Sequence, residues 1–178
     1  MADAVVIPGR MFGPGAGVLM YASFAAERRG ASVHRHWWTT EPPGAGNKQS
    51  ADWVHGEAAA AVDKAGGTPL LIGKSLGTLA AGLAADRSLP GVWLTPLLAM
   101  PQVIAGLERA GAPFLLIGGT ADTSWDGTFA RRVTPYVLEV PDADHGMCVP
   151  GQLTDSITVL AQVVNAIEQF LETIGWPS

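Results

Sequence analysis

A chain of 178 residues, 48% hydrophobic and only 15% charged, is long enough to bury one substantial core and too short for two, so a single domain spanning residues 1–178 is expected. The net charge of -5, with 11 Lys and Arg against 16 Asp and Glu, supplies no basic face for phosphate backbones or anionic lipid, so nucleic acid and membrane surfaces are not expected partners. The single Cys148 excludes an internal disulfide and a cysteine-rich zinc site. "MADAVVIPG" lacks a basic stretch followed by an apolar targeting core, and no apolar run approaches the ~18 residues of a membrane span, so a cytoplasmic protein is expected.

Along the chain, short apolar runs closed by Gly or Pro alternate with longer stretches of helical spacing. The runs Ala4–Ile7, Val33–Trp37, Pro69–Ile72, Val92–Leu94, Phe114–Ile117 and Tyr136–Val140 suit strands covered on both faces. Between them lie candidate helices over Gly15–Arg29, Ser50–Lys64, Leu76–Asp86, Met100–Ala110, Trp125–Val133 and Leu153–Ile174. This alternation predicts an α/β fold: a doubly wound, mostly parallel sheet of about six strands with helices on both faces. Leu76, Leu79, Ala80 and Leu83 mark the buried face of one helix, and Ile157, Leu160, Val164, Ile167 and Leu171 mark that of the last. "WWTTEPPGAGNKQ" is expected to be a surface loop after a strand, not a domain boundary. Trp53 and Trp93 are assigned to the core.

The segment "LLIGKSLGT", residues 71–79, contains two signals. Gly73-Lys74-Ser75 matches the end of a phosphate-binding loop, but that motif needs a glycine at position 68, which is Thr68, and Pro69 removes an amide from the anion cradle. Gly73-Lys74-Ser75-Leu76-Gly77 instead fits a G-x-S-x-G elbow between an apolar strand and an apolar-striped helix. Downstream, the strand "FLLIGG" ends in "TADTSWDG" with Asp122 just beyond it, and "YVLEV" ends in "PDADHGM" with His145 in its loop. Serine, acid and histidine thus follow in that order, each past the carboxyl end of a parallel strand. Asp126 competes with Asp122 for the acid's place but also suits a helix cap, and Asp142 and Asp144 read as turn formers.

The segments "GKSLGT", "GGTAD" and "DADHG", together with "VVIPGRMFG" near the start, make the chain similar to the α/β-hydrolase superfamily in its small, capless form, over essentially its whole length. The resemblance implies Ser75 as nucleophile, His145 as general base and acid, and Asp122 as the carboxylate orienting His145. It implies an oxyanion hole made by the backbone amide of Leu76 and one from Arg10 or Met11. The family's loop here often carries His-Gly, whereas this chain has Pro8-Gly9-Arg10-Met11. The implied activity is cleavage of a carboxylic ester, thioester or related acyl bond in a small-molecule substrate, without cofactor or metal. A non-catalytic binding protein on the same fold is the alternative.

Met11, Phe12, Trp37, Trp38, Leu97, Trp125 and Met147 fall in or beside loops at the predicted site edge, where they either wall a substrate pocket or simply pack. His34 and His36 alternate along a strand without a nearby carboxylate or cysteine in sequence to complete a metal set. Lys74 is read as a solvated elbow residue. Only about twenty residues separate "VWLTP" from "FLLIGG", enough for one crossover helix and no inserted lid, so an open site is expected.

Overall fold

The computed structural model describes residues 2–15, 17–43 and 48–177. Six strands form one all-parallel sheet: β1 (Asp3–Ile7), β2 (Ser32–Arg35), β3 (Leu70–Lys74), β4 (Gly91–Leu94), β5 (Phe114–Gly119) and β6 (Val137–Val140), in the spatial order β2-β1-β3-β4-β5-β6. The helices are α1 (Gly17–Arg28), α2 (Lys48–Ala65), α3 (Ala81–Arg87), α4 (Pro101–Arg109), α5 (Gly127–Val133) and α6 (Leu153–Thr173). The predicted helix over Leu76–Asp86 divides, its first part being a 3-10 segment over Ser75–Ala80 that runs into α3. Part of the predicted "WWTTEPPGAGNKQ" loop, residues 44–47, and position 16 of the first predicted helix lie outside the described residues.

Strand side chains alternate between the two sheet faces, and the core divides accordingly. Ala4 and Val6 of β1 and Leu70 and Ile72 of β3 join α1 and α6 on one face. Val5, Ile7 and Leu71 join α2, the 3-10 segment, α3, α4 and α5 on the other. That division follows from handedness. The chain first steps from β1 to β2 in one direction, then runs from β3 to β6 in the other, and right-handed crossovers place the two sets of helices on opposite faces. The direction reverses between β1 and β3, and the crevice beyond their carboxyl ends is where sheets of this kind place ligands.

The face of α6 differs from the expected stripe. Val159, Val163, Ile167, Phe170 and Leu171 are buried, while Ile157 is 57% exposed. The helix carries apolar residues around much of its circumference, so spacing alone does not select the sheet-facing side.

Candidate active site

The end of β3 is shaped by what cannot fit beside it. A Cβ on Gly73 would lie 2.7 Å from the Trp93 ring, and one on Gly77 would lie 2.3 Å from the Ile7 carbonyl oxygen. The 3-10 segment can therefore approach β1 and β4 only with hydrogen at both positions. The turn between them places Ser75 at φ 51°, in the left-handed region that L-residues seldom occupy. Thr78 braces this turn: its hydroxyl donates to the Ser75 carbonyl at 2.6 Å and accepts from the Leu97 amide at 3.2 Å.

Loops after β5 and β6 bring the other two groups to Ser75. His145 Nε2 lies 2.8 Å from Ser75 Oγ, and His145 Nδ1 lies 2.7 Å from Asp122 Oδ2. The two loops are joined backbone to backbone. The Ala121 amide donates to the Ala143 carbonyl at 3.1 Å and the Thr120 amide to the Val140 carbonyl at 3.0 Å, while a Cβ on Gly119 would meet the Ala143 oxygen at 2.1 Å. Asp144 shapes the histidine turn by accepting from the amides of Gly146 and Cys148, at 2.7 and 2.9 Å.

The two candidate acids sit differently. Asp126 caps α5, accepting from the amides of Thr128 and Phe129 at 3.0 and 2.9 Å, whereas Asp122 is 6% exposed and faces His145. Burial pushes the Asp122 carboxyl up. The His145 hydrogen bond, the Ser124 amide at 2.9 Å, and the charges of His145 and Lys74 outweigh it and hold the group below the ordinary aspartate value. Asp122 thus stays ionised, the state needed to fix the proton of His145 on Nδ1 and leave Nε2 as the acceptor toward Ser75.

Beside Ser75 runs the loop after β1. A Cβ on Gly9 would touch Ser75 Cβ at 3.5 Å, so the backbone of this loop lies against the serine. The Trp38 indole donates to the Gly9 carbonyl at 2.9 Å, and the Arg10 guanidinium donates to the carbonyls of Pro42, at 3.0 Å, and Pro43. A groove of about 530 Å³ opens from Ser75 and His145 between residues 9–13 and the start of α1, where Val18 and Leu19 form its floor. A larger depression of about 830 Å³, lined in part by Ala2, Gly66, Thr68 and Pro113, lies at the opposite, amino-terminal edge of the sheet and contains none of these three groups.

The expected wall residues separate. Met11 and Phe12 line the groove, at 82% and 70% exposure. The others do not line it, which corrects their expected placement. Trp37 covers Gly13, where a Cβ would meet its ring at 2.3 Å, and Trp38 is turned toward Gly9 and Trp53, with ring centroids 4.9 Å apart in the latter pair. Leu97 packs on the α2–α5 side of the sheet. Trp125 lies over Gly118 with its indole donating to Glu139 at 2.7 Å, and Met147 is 2% exposed in the opposite core. Loop position put these side chains at the correct edge, but the alternate face was open to them as well.

Two further expectations change. Lys74 is not a solvated side chain: its ammonium donates to Thr95 Oγ1 and to the His145 carbonyl, both at 3.1 Å. His34 and His36 do not face a common point, since His34 pairs with Asp3 at 2.7 Å and His36 with Glu57 at 2.8 Å. Among the described residues, no three His, Cys, Asp or Glu side chains gather as a metal site, and no helix is long and apolar enough to cross a membrane. Lys74 and Thr78 had a faint sequence signal, as polar residues flanking an apolar strand and its elbow.

No protein-family model and no curated protein matches the chain. Solved structures do. A protein from Xanthomonas campestris pv. campestris ascribed to the alpha/beta hydrolase superfamily superimposes with a TM-score of 0.76 at 17% identity, over 97% of this chain and 99% of that one. Est1E from Butyrivibrio proteoclasticus, in its complex with ferulic acid, gives 0.69 at 12% identity, over 97% and 89%. The monoacylglycerol lipase of Paleococcus ferrophilus gives 0.64 at 16% identity, over 92% and 94%. The chain has the α/β-hydrolase fold, with a single six-stranded parallel sheet.

Proposed function

We propose that this protein is a serine hydrolase that cleaves a carboxylic ester or related acyl bond through an acyl-enzyme. The observation that carries the reading is the unbroken line from Asp122 Oδ2 through His145 to Ser75 Oγ, at 2.7 and 2.8 Å, on a serine held at φ 51°. A serine hydroxyl attacks at neutral pH only when a base removes its proton, and a histidine in this tautomer does so.

In the proposed reaction, Ser75 Oγ bonds to the acyl carbon as its proton passes to His145 Nε2. The carbonyl oxygen becomes an oxyanion beside the Leu76 amide and an amide of the Gly9–Met11 loop. Collapse breaks the bond to the leaving oxygen, which takes the proton from His145. Water then gives a proton to His145 and its oxygen to the acyl carbon, and breakage of the Ser75 ester returns that proton to Oγ. Arg10 is favoured over Met11 as the second donor. The Gly9 carbonyl and the Arg10 N–H belong to one planar trans peptide and point in opposite directions, so tying the carbonyl to Trp38 turns the Arg10 amide away from that tryptophan.

The groove supports an uncharged acyl group. Its apolar lining is Met11, Phe12, Val18 and Leu19, while Lys74 and Arg10, which also line it, are hydrogen-bonded to Thr95, the His145 carbonyl and the carbonyls of Pro42 and Pro43. An apolar chain or aromatic ring gains there from burial.

Labelling with a fluorophosphonate, followed by peptide mass spectrometry and turnover of small activated esters, tests the reading. The adduct is expected on Ser75 and absent in Ser75→Ala, and both Ser75→Ala and His145→Ala should lower kcat by roughly 10⁴-fold or more. A folded protein that neither labels nor turns over esters would overturn it.

A further inference from the structure

Lys74 is the one elbow residue for which acyl chemistry as written above has no use. It closes β3 immediately before Ser75 and pairs in register with Leu94 of β4. Its side chain is half-buried beneath the β6–α6 loop, between a fully buried hydroxyl, Thr95 Oγ1, and the backbone carbonyl of His145 itself. Asp122 and Asp144 are the carboxylates whose charge acts on it.

We infer that Lys74 is a positioning residue for the catalytic histidine: by holding the His145 carbonyl to the end of β4, its ammonium keeps the imidazole in line between Asp122 and Ser75. The inference rests on the hydrolase reading above. The carbonyl belongs to the same residue as the imidazole, so fixing it removes freedom from the loop at the point where freedom would lengthen both triad hydrogen bonds. Asp144 restrains the far side of the same turn through the Gly146 and Cys148 amides. Lys74 therefore supplies the restraint on the strand side. Its charge also acts on Asp122, favouring the carboxylate that holds Nδ1.

Packing alone does not account for an ammonium here. Burial pushes the Lys74 group below the ordinary lysine value despite the attraction of Asp122 and Asp144, so the buried cation costs folding free energy at neutral pH. An apolar side chain could close β3 without that cost.

Lys74→Met separates the two roles. The variant is expected to fold, while kcat falls about 10- to 100-fold with KM nearly unchanged, as for loss of one charge-assisted hydrogen bond that aligns the reacting groups. The proton on His145 Nδ1, shared with Asp122, should give a far-downfield ¹H NMR signal in the parent and shift or broaden in the variant. Thr95→Val, which keeps shape but removes one anchor of the ammonium, should move both readouts in the same direction and by less, and carries the test if Lys74→Met does not fold. An active parent whose variants keep its kcat and its downfield signal would overturn the inference and leave the hydrolase reading standing. A parent that fails to turn over or label overturns that reading, and with it the inference.

Discussion

Trp38 donates its indole N–H to the carbonyl of Gly9 at 2.9 Å, joining the loop after β2 to the loop that lies against Ser75. The Arg10 guanidinium closes a second link onto the Pro42 and Pro43 carbonyls, and Glu57 of α2 anchors the strand side of that loop through His36 at 2.8 Å and the Thr39 hydroxyl at 2.5 Å. The peptide proposed to stabilise the oxyanion is thus oriented by the loop after β2, itself anchored on α2. Trp38→Phe retains an aromatic ring against Trp53 and removes the donor together with part of the indole's volume. It should reduce kcat about 5- to 13-fold, with a small change in KM, as expected when one neutral hydrogen bond of about 1–1.5 kcal/mol is lost from a preorganised peptide. Steady-state kinetics on an activated ester measure this, and an unchanged kcat would show that the Gly9–Arg10 peptide keeps its orientation unaided.

Gly77 and Gly56 should respond to alanine with opposite signs. At Gly77 the new methyl would sit 2.3 Å from the Ile7 oxygen and 2.8 Å from the Pro8 oxygen, both backbone atoms that cannot swing aside. Gly77→Ala is expected to cost about 2–3 kcal/mol and to displace the elbow. Gly56 lies inside α2 with nothing within 4 Å of a Cβ, so Gly56→Ala should gain about 0.5–1 kcal/mol through reduced freedom of the unfolded chain. Denaturant midpoints of the two variants settle both signs.

The parts of the site that were legible in the sequence are those with a local signature. The elbow appears as two glycines flanking Ser75 after an apolar strand. Asp122 and His145 appear because parallel strands deliver their following loops to one edge. Legibility ended where a side chain could choose a face. Trp125 and Met147 sit in loops at that edge, yet one lies over Gly118 and the other enters the core beside α6, and no local pattern distinguishes these from a pocket wall. The surplus of apolar residues on α6 hid its buried stripe in the same way. Lys74 was read as solvated because its partners, Thr95 and the His145 carbonyl, are 21 and 71 residues away, and one of them is backbone with no sequence identity at all.

Acid should destabilise the fold through Asp122 and Glu57. Burial raises the Glu57 group, but hydrogen bonds from Thr39 and His36 and the charge of His36 outweigh it, so that Glu57, like Asp122, lies below its ordinary value. A carboxyl whose folded value is depressed adds stability that is complete above the unfolded value and is lost as the pH falls through the folded one. The loss should therefore begin below the reference values of 4.5 for Glu57 and 3.8 for Asp122. Glu57→Gln is expected to be less stable than the parent at neutral pH and to show a shallower decline between neutral pH and acid. Melting temperatures measured across that range test the slope; identical slopes would mean that Glu57 titrates alike in the folded and unfolded chains.

Phe12 should govern which acyl groups the groove accepts. Its ring is 70% exposed at the rim of the groove, so removing it sacrifices little folding free energy, while any substrate chain lying along the groove would cover part of it. Phe12→Ala is expected to leave the melting temperature and the turnover of an acetyl ester nearly unchanged. For a hexanoyl or aryl ester it should lower kcat/KM by about 5- to 20-fold, equivalent to some 1–2 kcal/mol of lost apolar contact. The two effects are expected to differ because an acetyl group extends one carbon beyond the carbonyl, whereas a hexanoyl chain extends five along the groove. A matched pair of p-nitrophenyl esters, acetyl and hexanoyl, removes differences in leaving group from the comparison. An equal loss on both would place the influence of Phe12 on the Gly9–Met11 backbone instead of on the acyl chain, and no loss on either would move the acyl chain out of this groove.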